Sequence, residues 1–86
     1  MKKAIDDGKF LTFKYLGDSE SGKTELWEVH NKIFMVRLGL IKWNPAWRQY
    51  SFYPARDTMY EEDCLRRIAN FNEKLTKERR KNKMVI

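Results

Sequence analysis

Residues 32–56 read KIFMVRLGLIKWNPAWRQYSFYPAR, a stretch with five Lys or Arg, six aromatic residues and no Asp or Glu. Two apolar runs, IFMVRLGLIKW and WRQYSFYP, flank the pair Asn44 and Pro45. Asn supports a local side-chain turn and Pro fixes φ, so the pair turns one strand back onto the next. The stretch is therefore read as a β-hairpin that serves both as core and as working surface.

Upstream, Leu11, Phe13 and Tyr15 alternate with Thr12 and Lys14, the period of a half-buried strand. A loop of Gly, Ser and charged residues, GDSESGK, separates it from TELWEVH, where Trp27 and Val29 again alternate. The residues before Gly8 form a short polar lead. A third strand is expected near Ile33–Trp43, with Gly39 marking a bulge or kink, and a fourth near Trp47–Tyr53, ending at Pro54.

After Pro54 the period changes to three and four. Thr58 and Glu61 have capping-box spacing, and Asp57, Glu61, Glu62 and Asp63 suit a helix N-terminus. Cys64, Leu65, Ile68, Phe71 and Leu75 form one apolar stripe, while Arg66, Arg67, Asn70, Glu73 and Lys74 face away. Past Leu75 the stripe gives way to TKERRKNKMVI, which lacks apolar surface and is expected to fray. The fold class is α+β: a four-stranded antiparallel β-meander packed on one face by a C-terminal α-helix, with residues 1–76 as one domain and 77–86 as a basic tail. Apolar residues on both faces of the third strand leave aromatic surface for a ligand, a partner or a second copy to cover.

The formal charge is +6, and it is segregated. Residues 74–83 hold six cations (Lys74, Lys77, Arg79, Arg80, Lys81, Lys83) and Glu78, while residues 1–73 hold 12 positive and 11 negative residues. A single cysteine, Cys64, excludes an internal disulfide and any site needing two thiolates, and favours a reducing, cytoplasmic setting. No apolar run approaches a membrane span, and the first residues lack the apolar core of a signal peptide.

Catalytic patterns are weak. Gly17, Gly22, Lys23 and Thr24 match the phosphate-binding loop letter for letter, but Trp27 and Val29 continue as a strand where that loop needs a helix, and Asp18 and Glu20 would sit in the cradle. The match is read as a hairpin loop. His30, the one histidine, has no base or nucleophile fixed beside it in the sequence, and Cys64 belongs to an apolar stripe. Neither an enzyme nor a bound metal or cofactor is expected.

The chemistry that remains is binding. Lys42, Arg48 and Arg56 are interleaved with Trp43, Trp47 and Tyr50, and Lys77, Arg79, Arg80 and Lys81 follow in the tail. Aromatics that stack bases beside cations that meet phosphates describe a single-stranded nucleic-acid surface. Trp, Tyr and Arg are equally the residues of protein-interface hot spots, so a protein partner or a homodimer through the aromatic sheet face is the alternative.

The run LGLIKWNPAWRQYSFYP, residues 38–54, resembles the signature of a group of small uncharacterised proteins of bacteria and phages, and the apolar helix after Thr58 is similar to theirs. The likeness spans about Glu25 to Leu75. It implies a bacterial or phage setting and the order strand, turn, strand, helix; the group brings no activity with it.

Overall fold

The computed structural model describes residues 4–84, and side chains for residues 4–81. Among them are five strands and one helix: β1 (Ala4–Asp6), β2 (Leu11–Asp18), β3 (Glu25–Asn31), β4 (Arg37–Asn44), β5 (Gln49–Pro54) and α1 (Glu62–Met84). The strands form one antiparallel meander in the order β1-β2-β3-β4-β5, and α1 packs on one face. The α+β class and the C-terminal helix are as expected, but the sheet has five strands rather than four.

The added strand is the polar lead. Ile5 pairs with Phe13, and the turn that follows is built by two carboxylates. Asp6 Oδ1 accepts from Gly8 N (2.6 Å), and Asp7 Oδ1 accepts from the N–H groups of Lys9, Phe10 and Leu11 at 2.7, 2.9 and 2.9 Å. Gly8 takes φ 84°, a conformation in which glycine carries no Cβ penalty.

Cross-strand partners share a face. The pairs Phe13↔Val29, Tyr15↔Trp27, Trp27↔Ile41 and Trp43↔Tyr50 therefore build the helix-facing side. Leu11, Phe13, Trp27, Val29, Ile41 and Tyr50 are buried there against Ile68, Phe71 and Leu75 of α1. Phe71 stacks on Phe13 (centroids 4.0 Å apart, planes at 8°) and meets Trp27 edge-on at 5.0 Å. The opposite face carries Thr12, Lys14, Glu28, His30, Lys42 and Ser51, together with Leu40 and Tyr53, and is mostly polar.

The expectation that β4 is apolar on both faces is corrected in two ways. Ile33–Val36 are not strand: Asn31 Oδ1 accepts from Ile33 N and Phe34 N, and Met35 N donates to Asn31 O, closing a loop before β4 begins at Arg37. The register then shifts between Val29 and His30, so that His30 pairs with Arg37 while Val29 pairs with Gly39. This bulge sends Arg37 to the polar face and lets Leu38 be buried.

The helix also differs in detail. Thr58 is not its cap, because its hydroxyl donates to Ala55 O and pairs with Tyr60 Oη. Glu61 caps instead, its Oε1 accepting from Cys64 N at 2.5 Å. Leu65, placed on the stripe by its spacing, is 51% exposed, whereas Arg67 turns inward to Asp7 Oδ2 at 3.3 Å. The helix runs through the segment expected to fray, as far as Met84; Val85 and Ile86 lie outside the described residues. It spans the sheet end to end, starting beside the β1–β2 turn and finishing beside the β2–β3 and β4–β5 turns.

Candidate functional site at the C-terminal end of the helix

Because α1 continues past Thr76, it carries the basic segment to the β4–β5 turn. That turn is set by Asn44, whose Oδ1 accepts from Ala46 N (3.0 Å) and Trp47 N (3.4 Å), and by Arg48 at φ 53°. Trp47 stands at its tip, 69% exposed. Arg80 reaches across to Arg48 O at 3.5 Å. Lys77, Arg80 and Lys81 share a helix face by their three- and four-residue spacing and are exposed. The Lys77–Glu73 pair, at 3.7 Å with both side chains well solvated, contributes little.

Between β5 and α1 lies a groove of about 350 Å³. Gln49, Tyr50 and Thr76 line it, with Lys77 and Arg80 at the rim. Asn72 and Glu73 also line it, and Asn72 Oδ1 is itself closed off from solvent without a hydrogen-bond partner. On the other flank of the helix Glu25 and Glu78 border a second cleft beside Trp27 and Phe71. The first flank carries Lys77 and Arg80 with Glu73, the second Lys74 with Glu25 and Glu78.

The structure sorts the residues singled out from the sequence. Arg80 meets Arg48 next to the exposed Trp47, and Lys77 and Lys81 lie on the same helix face as Arg80. Trp43 is half-buried with one face occupied: the Arg79 guanidinium lies 4.5 Å from its ring centroid and donates to Lys23 O at 2.8 Å, while Tyr50 meets it edge-on at 5.5 Å. Tyr50 is itself buried, its hydroxyl accepting from Glu25 N at 2.9 Å and its N–H donating to Thr76 Oγ1 at 3.0 Å. Neither is a free stacking surface; both hold the helix end to the sheet. Lys42 lies on the polar face, with its ammonium 4.5 Å over the Tyr53 ring. Arg56 lies beyond Pro54, at the far end of β5. The sequence reading did not single out Asn72 or Gln49, since neither stands out without the groove.

Elsewhere, His30 does have a carboxylate beside it: Nε2 is 2.6 Å from Glu28 Oε1, and Arg37 Nε is 2.8 Å from Oε2. The hydrogen bond from His30, then that from Arg37, outweigh burial and hold the Glu28 carboxyl below its ordinary range. Burial, followed by the Glu61 carboxylate, pushes the Cys64 thiol up and disfavours its thiolate. The phosphate-loop pattern forms the β2–β3 hairpin connection, with Ser19 N and Gly22 N bonded within the turn and strand β3 following. Among the described residues no group of three or more His, Cys, Asp or Glu is placed to hold a metal, and no helix is long and apolar enough to cross a membrane.

No family of known proteins, no curated protein and no solved structure matches the chain.

Proposed function

We propose that the protein binds nucleic acid, single-stranded in preference to duplex, along the flank between β5 and α1. The observation that carries this reading is an exposed Trp47 and Arg48 at the turn that Arg80 reaches, with Lys77 and Lys81 on the same helix face as Arg80. The cations meet phosphates, and Trp47 offers a ring face for a base. A single strand fits because its bases can be splayed onto one protruding aromatic ring, which a duplex does not offer.

The test is titration of fluorescent single- and double-stranded oligonucleotides across a salt series. Replacing Lys77, Arg80 and Lys81 together by Gln removes three phosphate contacts and flattens the log-log salt slope by about 2, at roughly 0.7 per contact. Trp47→Ala weakens binding by about 1–3 kcal/mol without altering the slope, because stacking releases no counterions. Arg56→Gln, at the far end, leaves both unchanged. Wild-type protein that fails to bind at low salt, or an Arg56→Gln variant as impaired as the triple one, overturns the proposal.

A further inference from the structure

On the sheet face away from α1, the strands β1 and β2, the end of β3 and the loop that follows it bound a recess of about 630 Å³, a volume within the ordinary range of small-ligand sites. Residues opposite one another in the register share a face, so Ala4 lies beside Lys14 and Thr12 beside His30. Ala4 and Thr12 are small and leave the recess its depth, while Lys32 and Met35 also line it. Met35 is 80% exposed and takes φ 58°, a left-handed conformation uncommon outside glycine. The turn at Asn31 imposes it, since Met35 N donates to Asn31 O at 2.8 Å. An apolar residue is thereby fixed at the wall of a polar-floored recess.

The charge of the recess centres on Lys14. Its neighbours in the register are Ala4 on β1, which is uncharged, and Glu28 on β3. Both oxygens of Glu28 are engaged elsewhere, Oε1 with His30 Nε2 at 2.6 Å and Oε2 with Arg37 Nε at 2.8 Å. Asp6, on the same face of β1 as Ala4, pairs with Lys32 at 2.8 Å and accepts from Gly8 N at 2.6 Å. The two carboxylates nearest Lys14 are therefore committed. Among the described residues Lys14 has no ion pair, and the Thr12 hydroxyl and Asn31 Nδ2 have no hydrogen-bond partner. The pairs Lys32–Asp6 and Arg37–Glu28 cancel, so with His30 neutral the recess carries one uncompensated positive charge beside two neutral donors.

We infer that this recess binds a small monoanion, a carboxylate carried on an apolar body. One exposed ammonium matches one carboxylate, and the neutral donors of Thr12 and Asn31 complete its hydrogen bonds without a second cation. The apolar body lies against Met35 and the alkyl stems of Lys14 and Lys32. The recess is on the opposite side of the sheet from α1, so the inference is independent of the proposed nucleic-acid flank.

NMR titration of isotope-labelled protein with naphthoate, and with naphthylmethanol as its uncharged counterpart, tests this without nucleic acid. Naphthoate should move the amide signals of Thr12, Lys14, Asn31 and Met35 saturably, with a Kd of about 0.1–1 mM for a probe of that size. The alcohol should bind about tenfold more weakly, because it forgoes the charged hydrogen bond. Lys14→Gln, at an exposed position, should abolish the preference for the acid. Met35→Asn, which suits the left-handed φ there, should weaken both probes by about three- to tenfold and keep the preference. Phe34→Asp, on the same loop but outside the recess, should change neither affinity. No saturable shift at concentrations roughly tenfold above that range overturns the inference, as does an acid preference that survives Lys14→Gln. Equal binding of acid and alcohol that Phe34→Asp abolishes assigns the probes to the exposed loop and overturns it as well.

Discussion

Replacing Phe71 by Ala and, separately, Leu65 by Ala tests where the helix meets the sheet. Both residues belong to the same apolar period, but Phe71 is buried between Phe13 and Trp27 while Leu65 is half-exposed. Deleting the Phe71 ring removes its transfer free energy and leaves a cavity walled by two rings and Ile68, a combination that costs about 3–5 kcal/mol. A chain of 86 residues has a total stability of roughly 4–13 kcal/mol, so this one substitution removes much of it and lowers the melting temperature by roughly 15–30 °C. Leu65→Ala removes a side chain that already keeps half its surface in water and substitutes the best helix former, so its net cost stays below about 1 kcal/mol. Urea unfolding followed by the fluorescence of buried Trp27, with circular dichroism in parallel, measures both. Equal losses, or a larger loss for Leu65→Ala, would refute the packing described.

Two further perturbations read other parts of the fold. A Cβ added at Gly39 would lie 2.4 Å from Tyr53 O and 2.9 Å from the Phe52 ring, and the carbonyl belongs to the paired strand, so Gly39→Ala should cost about 1–3 kcal/mol in a thermal melt; an unchanged midpoint refutes the close approach. Burial pushes the Asp7 carboxyl up, but the N–H groups of Leu11, Lys9 and Phe10 and the charge of Arg67 outweigh it and hold it below its ordinary range. A depressed carboxyl contributes stability above its unfolded value, near 3.9, and loses it as pH falls through the folded value. Asp7→Ala should therefore cost about 2 kcal/mol at neutral pH, and the gap from wild type should narrow below about pH 4; a gap that is constant with pH refutes the charge's role.

Side-chain alternation in β2 and β3, the Asn44–Pro45 turn and the positions of Ile68, Phe71 and Leu75 were legible in the sequence because each obeys a local period or a local turn preference. Ala4–Asp6 was not, since three residues are too few to show a period and the turn that pairs them depends on Asp6 and Asp7 capturing N–H groups. Ile33–Val36 read as strand because they are apolar. Asn31 overrides that pattern by offering its side-chain oxygen to the N–H groups a ladder would need, and the apolar residues end up outside. Leu65 keeps the helical period, but it lies near the start of α1, where the period guarantees no contact with the sheet.

The candidate site was legible as residue types and illegible as geometry, and the reason lies in what holds the last turns of α1. Past Leu75 no apolar residue buries them among the described side chains, yet the helix persists. Polar contacts replace the stripe: Arg79 covers Trp43 and reaches Lys23 O, and Arg80 reaches Arg48 O. Arg79 and Trp43, which look like half of a binding surface in the sequence, are thereby committed to the fold. The exposed cations of the proposed surface are Arg48, Lys77, Arg80 and Lys81, with Trp47 as its exposed ring, and Arg80 also ties the helix end to Arg48 O. A basic run on a frayed tail would present its cations at no fixed spacing, whereas on a docked helix Lys77, Arg80 and Lys81 keep one spacing and one orientation beside Arg48 of the β4–β5 turn. That fixed flank is what makes the expected salt slope a property of named residues and not of net charge.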